Sequence, residues 1–150
     1  MIRDDIKAAL VSAMKGGDKP AVGTMRMLQA AIKNRDIELR TATTQPDDDA
    51  LVTDVLQKMI KQRRESAEMY TTGNRPELAA SELAEIVTLE GFLPQQLSEE
   101  EARTAIAAII AELAATSMKD MGRVMAEVKQ RHATTIEPAK ASALVKALLA

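Results

Sequence analysis

Apolar residues return every three or four positions along most of this chain, the period of helices that each bury one face. Ile2, Ile6, Leu10 and Met14 form the first stripe, and Gly16-Gly17 ends it. Asp18 is placed to cap the next helix, with Pro20 in its first turn, where a missing N–H costs nothing. Ala21, Met25, Leu28, Ile32 and Leu39 carry that helix to the neighbourhood of Arg40. Residues 41–46 read as a loop. Asp47, Asp48 and Asp49 then suit a helix N-terminus, which favours negative charge. Leu51, Val55, Leu56, Met59, Ile60, Ala67 and Tyr70 extend a long third helix to Gly73.

Asn74-Arg75-Pro76-Glu77 offers a capping residue, a proline for the first turn and an acid, and opens a fourth helix through Leu83, Ile86 and Val87. Gly91 stops it, and Phe92-Leu93-Pro94-Gln95-Gln96 does not continue it. Ser98 and Glu101 are spaced as a capping box, the strongest start signal in the chain. Ile106, Ile109, Ile110 and Leu113 fill the helix that follows. Ser117 and Asp120 open another, with Met118, Met121, Val124, Met125 and Val128 expected to face inward. Pro138 starts the last, which carries Leu144, Val145 and Leu148. The expected fold is all-α. An N-terminal helical domain of about four helices spans 1–94, and a smaller C-terminal domain of three helices spans 95–150, divided at Pro94–Leu97.

The chain has 150 residues, enough to bury about two-thirds of its unfolded surface. There is no Cys or Trp, and one each of His, Tyr and Phe. That excludes a thiolate nucleophile, a zinc knuckle, a His-rich metal centre and base stacking on an aromatic platform. Lys and Arg total 20 against 22 Asp and Glu, so net charge drives no nucleic-acid binding. No apolar run reaches the ~20 residues of a membrane span. Residues 1–7 carry two acids and no signal-peptide core. The location expected from this is cytoplasmic, in a bacterium or an organelle of similar chemistry.

The spacing of the six glycines, at 16, 17, 23, 73, 91 and 122, gives neither a P-loop nor a dinucleotide fingerprint. Glu82 and Glu85 read as solvated acids on an outer helix face, and His132 as a surface or helix-end residue. No catalytic residue, metal ligand or cofactor is expected. Two cationic clusters remain. Lys61, Arg63 and Arg64, beside Lys58, lie either on a solvated face, with Lys61 paired to Glu65 and Arg64 to Glu68, or on a face for phosphate or an acidic partner. From Ser117 onward six cations, among them Lys119, Arg123, Lys129 and Arg131, meet three acids, Asp120, Glu127 and Glu137. Lys119 and Arg123, four apart, are expected on one helix face able to hold a phosphate backbone. Without aromatics such a face contacts RNA by shape and charge, and no sequence-specific DNA binding is expected.

Three segments together resemble the YqeY family, also described as the GatB/YqeY-domain family. They are Lys61-Gln62-Arg63-Arg64-Glu65-Ser66, Phe92-Leu93-Pro94-Gln95-Gln96-Leu97-Ser98-Glu99-Glu100-Glu101 and Ser117-Met118-Lys119-Asp120-Met121-Gly122-Arg123-Val124-Met125. Gly16-Asp18-Lys19 and Met25-Arg26-Met27-Leu28 also fit, so the likeness runs nearly end to end. It implies a helical C-terminal domain similar to the tail of the GatB subunit of glutamine-dependent tRNA amidotransferase, a tail that helps hold tRNA. Gly122-Arg123-Val124-Met125 matches the tail's Gly-Gln/Lys-Val-Met segment, and Leu144-Val145-Lys146 its last helix. Where the tail has a Gly-Arg-Ala-Asn/Asp-Pro/Gly turn, this chain reads Thr134-Thr135-Ile136-Glu137-Pro138 and lacks the Arg. The resemblance links the chain to carbon–nitrogen ligation with glutamine as donor, although no residues for that chemistry are recognisable. The expected role is a non-catalytic module that binds tRNA or a tRNA-handling protein. The alternative is a protein–protein adaptor with no RNA role.

Overall fold

In a computed structural model describing residues 1–150, seven α-helices and two short 3-10 turns form an all-α protein. The chain divides into two compact units, Met1–Leu93 and Pro94–Ala150.

In the first unit, α1 (Ile2–Lys15) and α2 (Lys19–Glu38) are joined by a tight turn at Gly17, whose φ of 69° suits a residue without Cβ. Asp18 accepts from the Ala21 amide at 3.3 Å and caps α2. A 3-10 turn, Leu39–Thr41, leads to α3 (Asp48–Thr72), and α4 (Pro76–Glu90) packs back along it. Leu28 and Ile32 of α2, Val52, Leu56 and Ile60 of α3, Ile86 and Leu89 of α4, and Ile2 and Ile6 of α1 form one buried core. Helix α3 is buried on most sides from Leu51 to Ile60, wider than the single stripe its spacing predicts. The three aspartates at its start divide their work. Asp47 caps the helix through the Ala50 amide, Asp48 binds Arg3, and Asp49 accepts from the Ile2 amide at 3.0 Å.

Four sequence expectations are corrected in this unit. Asn74 does not cap α4. It sits at φ 57° and ends α3, with the Arg75 amide reaching the Tyr70 carbonyl at 2.7 Å. Arg75 precedes α4 instead and makes no side-chain cap. Met14, Leu83 and Val87 are exposed, because α1 and α4 each bury a narrower face than their apolar content allows.

In the second unit, α5 (Glu99–Glu112) opens with the expected box. The Glu101 amide donates to Ser98 Oγ at 3.1 Å and the Ser98 amide to Glu101 Oε1 at 3.4 Å. A 3-10 turn, Met118–Asp120, precedes α6 (Met121–His132), and α7 (Pro138–Leu149) closes the unit. Ile106, Ile109, Val124, Val128, Ile136 and Val145 are its buried centre. Met121 and Met125 pack against that centre, whereas Met118 is exposed, since its place in the 3-10 turn takes it off the helical stripe. Gln96 ties the start of the unit to the loop after α6. Its Nε2 donates to the Pro94 and Thr134 carbonyls at 2.9 and 2.7 Å, and the Leu97 amide donates to the Thr135 carbonyl at 2.9 Å. Thr134-Thr135, which stands where the tail motif carries Gly-Arg, thus serves as a structural anchor.

Candidate nucleic-acid interface

Of the seven cationic residues singled out by sequence, three lie in the first unit and four in the second. In the first unit, Arg63 is drawn inward: its Nε meets Glu85 Oε2 at 2.7 Å, and its side chain is only 13% exposed. Arg64 reaches Glu90 at 3.1 Å across the α3–α4 pair. Lys61 is exposed and makes no ion pair, so the expected link to Glu65 is absent. Of the three, Lys61 alone projects an uncommitted charge.

In the second unit the pairing is heavier on the arginines than on the lysines. Arg131 lies 2.8 Å from Glu112 and 2.7 Å from Glu127. Its hydrogen bonds to Glu112 and then to Glu127 hold the guanidinium more firmly protonated than usual. Arg123 donates to Asp120 Oδ1 at 3.0 Å. The Asp120 carboxyl sits below its ordinary range, first through the Thr116 amide and then through Arg123. Helix periodicity separates the rest. Arg123, Glu127 and Arg131 follow one edge of α6, while Lys129 lies across the buried Val124–Val128 face from them. Lys119 belongs to the 3-10 turn, so the four-residue spacing to Arg123 does not place the two on one helix face as expected.

What remains free is a set of lysines: Lys119, Lys129, Lys140 and Lys146 are exposed and make no ion pair. Lys140 and Lys146 complete the set from α7; the basic bias of the tail included them, but no motif singled them out. Free ammonium groups on flexible stems suit phosphate oxygens as point charges, without the planar fork that reads a base edge. His132 ends α6, 3.4 Å from the Thr135 hydroxyl, in keeping with a helix-end role.

A cleft of about 230 Å³ lies elsewhere, between α1 and α2, lined by Lys7, Gln29 and Lys33 over Ile6 and Ile32. It is smaller than the ~300–1,000 Å³ typical of ligand pockets. Arg3 also lines it, held by Asp36 at 2.9 Å and Asp48 at 2.7 Å. Those hydrogen bonds keep the Asp36 carboxyl below its ordinary value and raise that of Arg3.

Fold and surface together define a class: an all-helical protein of two units, whose C-terminal part presents dispersed, unpaired lysines. Within that class the chain belongs to the YqeY-like protein family, whose model matches residues 3–149. It is similar to altered inheritance of mitochondria protein 41, mitochondrial, of Pyrenophora tritici-repentis, at 29% identity over 84% of this chain and 70% of that protein. The Eremothecium gossypii protein of the same name is 32% identical over 67% of this chain and 55% of that protein. A Schizosaccharomyces pombe protein described as uncharacterized is 31% identical over 62% of this chain and 72% of its own length. The cytoplasmic, bacterial setting expected from sequence is corrected by these relatives, two of which are named as mitochondrial. No helix here is long and apolar enough to cross a membrane.

Proposed function

We propose that this protein is a non-catalytic binding module associated with tRNA, contacting it through the C-terminal unit. The observation that carries the reading is the set of unpaired, exposed lysines Lys119, Lys129, Lys140 and Lys146, in the part of the chain that resembles the tRNA-holding GatB tail. The contact is electrostatic: it neutralises phosphates and reads no base. Arg123 and Arg131 are secondary, because each must leave a carboxylate before it can meet a phosphate. On this reading the units are two domains, and carbon–nitrogen ligation belongs to partners.

The adaptor reading keeps one specific support. The loop whose Gly-Arg would touch phosphate is here Thr134-Thr135, bound up with Gln96 and Leu97. Capture of partners by the full chain from lysate, with and without nuclease, separates the two. Partners lost on nuclease treatment support the tRNA reading; partners retained through it, with no RNA recovered, support the adaptor.

A further inference from the structure

Two matching patterns build the cleft between α1 and α2. Arg3, Ile6 and Lys7 on α1, and Gln29, Ile32 and Lys33 on α2, share the i, i+3, i+4 spacing of one helix face. On each helix the isoleucine is buried and the lysine beside it is exposed. The helices therefore set an apolar floor between two ammonium stems. The charges lining the cleft do not balance, with Arg3, Lys7 and Lys33 against Asp36 alone. Arg3 and Asp36 satisfy each other: Nη1 and Nη2 donate to the two Asp36 oxygens at 2.9 and 3.1 Å. The remaining fork of Arg3 is spent on Asp48, from Nε at 3.2 Å and Nη2 at 2.7 Å. Neither lysine makes an ion pair, and the half-buried Gln29 carboxamide makes no hydrogen bond. Two cations and an amide donor, contributed by facing helices, are thus left without an acceptor. An anion in the cleft would relieve the repulsion between the lysines.

We propose that this cleft is a binding site for a small phosphate monoester, held by Lys7 and Lys33 with Gln29 donating to a further phosphate oxygen. Lysine ammonium groups bind phosphate as point charges. A monoester carries close to two negative charges at neutral pH, which matches the two uncommitted lysines. The cleft volume of about 230 Å³ equals the share of about seven or eight water molecules in the liquid. That is room for a phosphoryl group on a body of a few carbons, and too little to enclose a nucleotide. The carbons would lie along the lysine stems and over the isoleucine floor. The site uses none of the residues proposed to meet tRNA, and it stands or falls separately from that contact.

Titration of the full chain with glycerol phosphate at low salt, followed by NMR of the amide signals, tests this. The Gln29 side-chain amide should shift and saturate with a Kd on the order of 1 mM, the strength of a few partly solvated ionic contacts. Glycerol, which lacks the charge, and acetate, which carries one, should each bind at least about tenfold more weakly. Lys7→Ala combined with Lys33→Ala should weaken glycerol phosphate binding about tenfold or more. Both lysines are exposed and unpaired, so helix content by circular dichroism should stay unchanged and separates lost binding from lost folding. The absence of a saturable shift at ~20 mM ligand overturns the proposal. So do shifts that glycerol or acetate reproduces at equal concentration, or a folded double variant that binds as tightly as wild type.

Discussion

Two residues sit where their chemistry is locally unfavourable. Thr53 is fully buried in α3, and its hydroxyl has no hydrogen-bond partner. An unpaired buried hydroxyl forfeits about 1–3 kcal/mol of hydration. Thr53→Val, nearly equal in volume, should therefore raise stability by about 1 kcal/mol in urea titration; a loss would mean that the hydroxyl is satisfied. Ala114, after α5, is held at φ 51°, with the Ala115 amide bonded to the Ile110 carbonyl at 3.0 Å. A left-handed Ala costs about 1–2 kcal/mol, and Gly removes that cost while adding some unfolded-state entropy. Ala114→Gly should gain about 0.5–1 kcal/mol net, visible as a raised melting temperature. Asp36 sets a pH dependence. Arg3 holds its folded-state carboxyl below the ordinary 3.8, so the unfolded chain takes up the proton first as pH falls. Its contribution is complete well above pH 3.8 and fades below it, as pH drops through the folded value. The stability difference between wild type and Asp36→Asn should accordingly be largest near neutrality and close in acid; a difference that widens in acid would contradict the assignment.

Elements were legible wherever the signal was local. The Ser98–Glu101 box, the Asp18 cap and the Leu28–Ile32 stripe each occupy a few consecutive turns, and each stands as the spacing implies. What the sequence hid is longer in range. Helical spacing suggested Lys61–Glu65 and Arg64–Glu68, yet Arg63 meets Glu85 on the next helix, Arg64 meets Glu90, and Arg131 meets Glu112. Such partners are set by how helices stack, which periodicity within one helix does not encode. The same limit turned Asn74 from a cap into a terminator and set Lys119 and Arg123, in expectation, on one helix face. The Arg63–Glu85 pair also ties α3 to α4 while largely shielded from water. Arg63→Ala leaves Glu85 partly buried and uncompensated, at a cost of about 2 kcal/mol, below the 3–5 of a fully buried pair. Chemical denaturation should show that loss, while RNA affinity per folded molecule should not change; a fall in affinity with stability intact would return Arg63 to the surface as a contact.

At the scale of the molecule, the near balance of charge conceals an uneven distribution. The acids of the second unit concentrate at the start of α5, Glu99 to Glu101, and its unpaired cations all follow Ser117. Family membership came from the order of short motifs along the chain, and compartment was not legible, because composition carries no address. Dispersed lysines meeting phosphates leave a quantitative mark: log affinity falls linearly with log salt, by up to roughly 0.9 per phosphate contact. The most direct measurement is therefore a titration of the full chain with tRNA across a series of salt concentrations, for wild type and for Lys119→Ala combined with Lys129→Ala. Both side chains are exposed and unpaired, so the double change should leave the fold intact. Weak binding that is lost with salt, and a slope lowered by about one to two in the double variant, is the predicted result. No binding at low salt, or a slope that the double change leaves untouched, would contradict it.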